Sequence, residues 1–139
     1  MFTEIFHTLT CCQGDSLSLC PFTPYPPASD RAAWQGLSPS LKDALLKNGR
    51  EFLHYEYPVL QATDYMDFCR TGNRQRYQER LFNRRIALNH LILAECVEYE
   101  GRFLDDILNG IFAVCEETAW QLPAHNTYIR DTPQLILPD

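Results

Sequence analysis

Apolar and polar positions alternate along this chain with a helical period. Between Gly101 and Asn126 (GRFLDDILNGIFAVCEETAWQLPAHN), Leu104, Ile107, Leu108, Ile111, Phe112 and Cys115 fall at i, i+3, i+4, i+7, i+8 and i+11. That spacing is one face of a 3.6-residue helix. Pro123 cannot continue the helix, because it lacks an N–H donor and its ring clashes with the preceding turn. The pattern therefore delivers Glu116, Glu117, Trp120, His125 and Asn126 at or just beyond a helix C-terminus, on a rigid support. Upstream, about Gln75 to Tyr99 reads as a long helix carrying Leu81, Phe82, Ile86, Leu88, Leu91, Ile92, Leu93, Cys96 and Val97. It is apolar over more than half its circumference and is expected to be covered on two sides. Gly101 suits the position just past that helix, and so short a connection makes the two long helices antiparallel.

Shorter helices precede this hairpin. Pro21, Pro24, Pro26 and Pro27 favour an extended arm over residues 1–28. Ser29 is a suitable N-cap for a short helix holding Ala32, Ala33 and Trp34. Ser38 followed by Pro39 is a clearer start signal, for a helix running to about Tyr55 with Gly49 weakening its middle. Pro58 ends that stretch, and Thr63 can cap a helix containing Tyr65, Met66, Phe68 and Cys69, with Asp64 and Asp67 near its positive end. Gly72 and Asn73 mark a turn. No strand pattern and no internal repeat stands out, so the expected fold is all-α. The expected division is an irregular arm over 1–28, a helical segment over 29–126 and an extended segment over 127–139, where Pro133 and Pro138 act as breakers.

The 139 residues suit one small domain or a piece of a larger one, and 45% apolar content suffices for a helical core. A net charge of −6 argues against nucleic acid as a partner. A polyanionic ligand needs a local basic patch working against that charge. Cys11 and Cys12 are adjacent and no C-x-x-C spacing occurs among the six cysteines. A reducing compartment is the simpler reading. The N-terminus carries Glu4 and no basic n-region, and no apolar run reaches a membrane span. The expectation is a cytoplasmic protein without a membrane partner.

Several residues carry candidate chemistry. His125 and Asn126 form the best catalytic-type pair: an Asn amide can hydrogen-bond a carboxylate, and a His can shuttle a proton near neutral pH. The same two residues also suit a structural turn, since Asn tolerates left-handed backbone and His can satisfy helix-end carbonyls. Trp120 is either a stacking platform for a sugar ring or a core residue packing the hairpin. Glu116 and Glu117 point to different sides, so at most one faces a site; Glu117 is the candidate. Arg70, Arg74, Arg76, Arg80, Arg84 and Arg85 supply half of the basic residues, with Arg80 and Arg84 one turn apart. Their planar forks suit carboxylate or sulfate oxygens, and equally suit interhelical ion pairs with the acids of the neighbouring segments. His7, His54, His90 and His125 show no ligand spacing and the cysteines make no zinc pattern, so neither metal nor cofactor is expected. His90, inside the apolar helix, reads as a partly buried core histidine.

Four blocks occur in order: PPASDRAAW from Pro26, YMDFCRTGNRQRY from Tyr65, CEETAWQLPAHN from Cys115 and RDTPQLILPD from Arg130. Together they resemble the heparinase II/III-like polysaccharide lyases, over about Pro26 to the C-terminus. The resemblance implies an α/α-toroid domain followed by a β-sandwich domain, acting by β-elimination on uronic-acid-containing polysaccharide. Such a toroid is larger than this chain, so the expectation is its N-terminal part: helical hairpins forming an incomplete toroid, inactive alone. Its implied partners are an acidic polysaccharide and the rest of the toroid and sandwich, with an exposed apolar stripe prone to self-association. On this reading His125 and Asn126 are the catalytic candidates, and Trp120, Glu117, Arg80 and Arg84 hold substrate. The alternative is a self-sufficient, non-catalytic helical module that binds a partner.

Overall fold

Each helix begins and ends where local chemistry allows, though two ends are supplied by distant residues. The computed structural model describes residues 25–128, and no strand occurs among them. Most of the expected arm over 1–28, and most of the expected extended segment over 127–139, lie outside the described residues. Helix α1 spans Arg31–Gln35 and is capped by Asp30 rather than Ser29: the Asp30 carboxylate accepts the Ala33 N–H at 3.1 Å. Helix α2 spans Pro39–Glu51, with Pro39 in its first turn and the Ser38 hydroxyl accepting from the Leu41 N–H. It stops short of Tyr55 because the chain tightens into turns and His54 adopts a left-handed φ of 60°. Helix α3 spans Ala62–Thr71; Gln61 precedes it without a side-chain cap, and Thr63 lies inside it. Gly72, at φ 79°, ends it in the left-handed conformation that glycine adopts without strain.

Helix α4 spans Gln75–Glu98 and α5 spans Leu104–Cys115. Between them Tyr99 takes the left-handed position at φ 60° and Gly101 repeats it at φ 81°. The orphan backbone groups at this corner are satisfied from outside the helices that own them. Glu95 of α4 accepts the Gly101 and Phe103 N–H groups at 2.8 and 3.2 Å, capping the start of α5. Arg31 of α1 donates to the Cys96 and Val97 carbonyls at 2.6 and 2.9 Å, closing the end of α4, and its guanidinium lies over the Tyr99 ring.

Pairings along α4 and α5 run in opposite directions: Glu95 meets Phe103, Leu88 lies at Gly110, and Arg84 reaches Ala113. The hairpin is therefore antiparallel, as its short connection predicts. Helix α2 packs against α4. Gly49 does more there than weaken a helix: a Cβ on it would overlap that of Ala94. The close approach lets Leu91, Ala94, Phe103 and Ile107 form one buried cluster, with Leu46, Phe52 and Leu53 packed on it. His90 stacks on Phe52 at the edge of this cluster, ring centroids 5.3 Å apart. A second cluster joins Tyr65, Tyr77, Leu81 and Ala119 under the loop that follows α5.

Two expectations for the hairpin change. Helix α5 ends at Cys115 rather than near Pro123, and Pro123 instead opens a 3₁₀ turn over Pro123–Tyr128. Moreover, α5 does not bury its apolar stripe. Its packed side is Phe103, Asp106, Ile107 and Gly110, while Leu104, Leu108, Ile111 and Phe112 are 49%, 54%, 42% and 67% exposed. Ile107, at the edge of the stripe, is its one buried member, and the packed face is centred roughly 130° round the axis from these exposed residues. Gly110 is the reason: it lets α5 press against Tyr57 and Leu88, and the Tyr57 hydroxyl donates to the Asp106 carbonyl at 3.3 Å. Helix α4 is likewise covered incompletely, with Phe82 and Ile86 exposed. No helix among the described residues is long and apolar enough to cross a membrane.

The α5 stripe makes a direct prediction. The chain should self-associate with rising concentration, and Leu108→Asp with Phe112→Asp should restore a monodisperse monomer of unchanged helicity. Light scattering coupled to size-exclusion chromatography reads both; a wild-type chain of constant mass at every concentration would contradict it.

Candidate functional site

The loop of residues 116–122 is held by charge at its start and by packing at its end. Glu117 has no exposed side-chain area. Its carboxylate accepts two parallel bonds from Arg85, at 3.1 and 2.7 Å, and a third at 3.4 Å from Arg84. Paired geometry of this kind is the strongest arrangement available to an arginine and a carboxylate. Arg84 also donates to the Pro58 carbonyl at 2.8 Å and to the Ala113 carbonyl at 2.7 Å. One guanidinium thus ties the chain before α3, the last turn of α5 and the loop beyond it. The Tyr77 hydroxyl donates to the Ala119 carbonyl, and Pro123 is fully buried. The early end of α5 follows: Glu117 must leave the helix to reach α4.

With Glu117, Ala119 and Pro123 turned inward, Trp120 is left outside, 68% exposed. Sequence spacing left core packing and a stacking platform both open for this residue; the structure places its indole in solvent. His125 is also exposed, and the Gln121 amide donates to its carbonyl at 2.9 Å across the turn. Asn126 belongs to the same 3₁₀ turn, and its side chain lies outside the described part of the structure. Glu116, at the end of α5, is exposed, and Glu117, beyond it, is buried.

The arginine row meets acids throughout its described ion pairs. Arg80 pairs with Asp64 at 2.5 Å and Arg76 with Asp67 at 3.0 Å, while Arg84 and Arg85 share Glu117. Glu95, Glu98 and Glu100 act elsewhere: Glu95 caps α5, and the other two pair with Arg50 and Arg102. Of the substrate-holding candidates, Arg84 and Glu117 are brought together with each other, inside the protein. Arg80 keeps about two-fifths of its side chain in solvent. Arg85, read from the sequence only as one of the arginine cluster, and Tyr77, which was not a candidate, also belong to this arrangement. A signal for the pair was present: Tyr77, Leu81, Arg84 and Leu91 share one helical register, so Arg84 occupies a buried position that requires a counter-ion.

Proton affinities at the site favour neutral phenols. Burial pushes the Tyr77 hydroxyl up, helped by the Glu117 carboxylate and Tyr65 and opposed by Arg84 and Arg85. Burial raises Tyr57 in the same way, with Asp106 adding to it. A phenol held in its protonated form and donating to a carbonyl is poorly placed to remove a proton from carbon. Among the described residues, no group of three His, Cys, Asp or Glu side chains is arranged to hold a metal ion. The arrangement offers a pinned loop with an exposed indole and polar groups beside it in the chain. Comparison with protein-family models finds none that matches the chain, and comparison with curated proteins finds no match either.

Two predictions follow from the anchoring. Glu117→Ala strands Arg84 in the interior and unpairs the part-exposed Arg85, and should cost about 3–5 kcal/mol of unfolding free energy by chemical denaturation; a loss below about 1 kcal/mol would mean that the pair does not hold the loop. The second concerns pH. Tyr57 and Tyr77 bind their protons more tightly folded than unfolded, so their contribution is complete below the ordinary phenol value of 10.0 and is lost as pH rises through the raised folded values. The thermal midpoint should fall above about pH 10, and Tyr77→Phe should blunt that fall.

Proposed function

We propose that this chain is the sugar-binding helical portion of a heparinase II/III-like polysaccharide lyase, an N-terminal part of its α/α-toroid. On this reading it helps hold an acidic polysaccharide and does not complete β-elimination by itself. The observation that carries the reading is Trp120, exposed on a loop anchored by Glu117 on one side and Pro123 on the other. An indole in solvent leaves apolar area uncovered, and a pinned loop presents it without further ordering on binding. The C–H face of a pyranose packs on such a surface. Gln121 and His125 stand beside it in the chain to meet hydroxyl or carboxylate oxygens.

The chemistry of the reaction explains the division of labour. β-Elimination breaks the C5–H bond of a uronate, forms the C4–C5 double bond and expels the C4 oxygen, which takes up a proton. It needs a group to neutralise the carboxylate, a base at C5 and an acid at the leaving oxygen. His125 and Asn126 are proposed to meet the uronate, and the exposed part of Arg80 to add positive charge nearby. Arg84 and Glu117 position the loop. A second reading, a non-catalytic helical interaction module, is favoured by the uncovered stripe on α5.

The test uses the chain's two tryptophans. Trp34 is buried and its indole N–H donates to the Pro27 carbonyl, so Trp34→Phe leaves Trp120 as the sole reporter. Uronate oligosaccharides should then shift its fluorescence saturably. Trp120→Ala should weaken binding by roughly tenfold or more, about 1.4 kcal/mol, while the chain alone forms no unsaturated uronate. An emission spectrum indifferent to acidic oligosaccharides would overturn the sugar-binding reading and leave the interaction module.

A further inference from the structure

The described chain begins beside a groove of about 330 Å³ between α1 and α4. Its lining includes Tyr25 and Pro26 from the start of the described residues, Trp34 from α1, and Ile92, Leu93 and Cys96 from α4. None of these belongs to the loop after α5, so the groove is independent of the sugar-binding reading. Apolar surface is left uncovered here: Tyr25 is 69% and Ile92 36% exposed. Burial pushes the Cys96 thiol up, which keeps it uncharged and suits an apolar occupant.

The chain before α1 is already held at this groove through its carbonyls. The Trp34 indole N–H donates to the Pro27 carbonyl at 3.1 Å while its ring lines the groove. Arg31 donates to the Ala28 carbonyl at 3.0 Å and, from the same nitrogen, to that of Cys96. An indole donor beside an apolar slot suits a polyproline II segment, because that helix leaves its carbonyls without internal partners and is stiff before it binds.

The sequence leading into Tyr25, LCPFTPYPP from Leu19, has the matching composition. Proline fixes its own φ and biases the residue before it away from the α-helical region, so Cys20, Thr23 and Tyr25 share the extended preference of Pro21, Pro24 and Pro26. Polyproline II has three residues per turn, which places Leu19, Phe22 and Tyr25 on one face, and Tyr25 lines the groove. Phe22 then lies about 9 Å from Tyr25. The lining residues of α4 run from Asn89 to Cys96, about 10 Å along its axis, so the two lengths agree. Residues 19–24 carry no charge, and neither does the lining.

We propose that this groove is a docking site for a polyproline II segment, and that its occupant is residues 19–24 of the same chain, with the Phe22 ring seated against Trp34, Ile92 and Leu93. Tethering favours this occupant over a segment of another molecule: three residues separate Phe22 from Tyr25, giving an effective concentration on the order of millimolar. Once docked, the segment is a strap that covers the groove and holds α1 to α4.

The test is NOE spectroscopy on the full chain, with aromatic rings and methyl groups assigned. Cross-peaks should join the Phe22 ring to the methyls of Ile92 and Leu93; their absence would overturn the proposal. In a mixture of labelled and unlabelled copies, cross-peaks that arise only between copies would overturn the in-chain occupant. Alkylation of Cys96 by iodoacetamide, quantified at that residue by mass spectrometry, gives a second readout. Phe22→Asp should speed it at least about fivefold with unchanged helical circular dichroism. Thr23→Asp, off the docking face, should leave the rate at the wild-type value. A Phe22→Asp rate equal to that of the wild-type chain, or equal acceleration by both substitutions, would overturn the docked strap.

Discussion

One buried carboxylate organises the end of this protein that carries the loop after α5. Glu117 sits between Arg84 and Arg85 with its side chain wholly out of solvent. Removing the Glu117 and Arg84 charges from water is costly, and the cost is offset by the bidentate bond from the part-exposed Arg85 and by donors that find backbone carbonyls. The consequences extend well beyond the pair. Helix α5 stops at Cys115, and the chain before α3 is drawn to the end of α5. Trp120 faces solvent because its neighbours on the loop are held inward.

The rest of the fold works by a similar exchange between distant segments. Arg31 completes the end of α4 and Glu95 completes the start of α5, so the corner between the long helices depends on side chains from elsewhere. Backbone groups at helix ends must be paired somewhere, and here neighbouring elements pair them. Small residues then set the distances. Gly49 admits α4 beside α2, and Gly110 admits Tyr57 and Leu88 beside α5. A rigid frame with a pinned loop is what a binding surface requires, since ordering at the moment of binding would subtract from affinity.

Polar groups at this end fall into two sets with different work. The inner set, Arg84, Glu117 and Tyr77 with the part-exposed Arg85, bonds internal partners and maintains shape. The exposed set, Trp120, Gln121 and His125, faces outward from the loop and the turn after it. On the proposed sugar-binding reading, recognition belongs to the second set and depends on the first. The apolar stripe of α5 is a separate surface, and its exposure follows from the close packing that Gly110 permits on the opposite side.

Local chemistry made much of the secondary structure legible from sequence. Ser38–Pro39 starts α2, Gly72 ends α3, and the long periodic run of α4 ends within one residue of its expected bound. These signals act within a turn or two of the backbone, so the chain alone carries them. The end of α5, the face it buries, the exposure of Trp120 and the choice of Glu117 over other acids were decided by tertiary structure. Arg85 and Glu117 are 32 residues apart, and Arg31 reaches a carbonyl 66 residues away. Periodicity showed that α5 has an apolar stripe but not which side would touch α4, because a glycine's close approach outweighed the stripe. Sequence determined which helices form; contacts between distant segments determined how they turn and what they leave exposed.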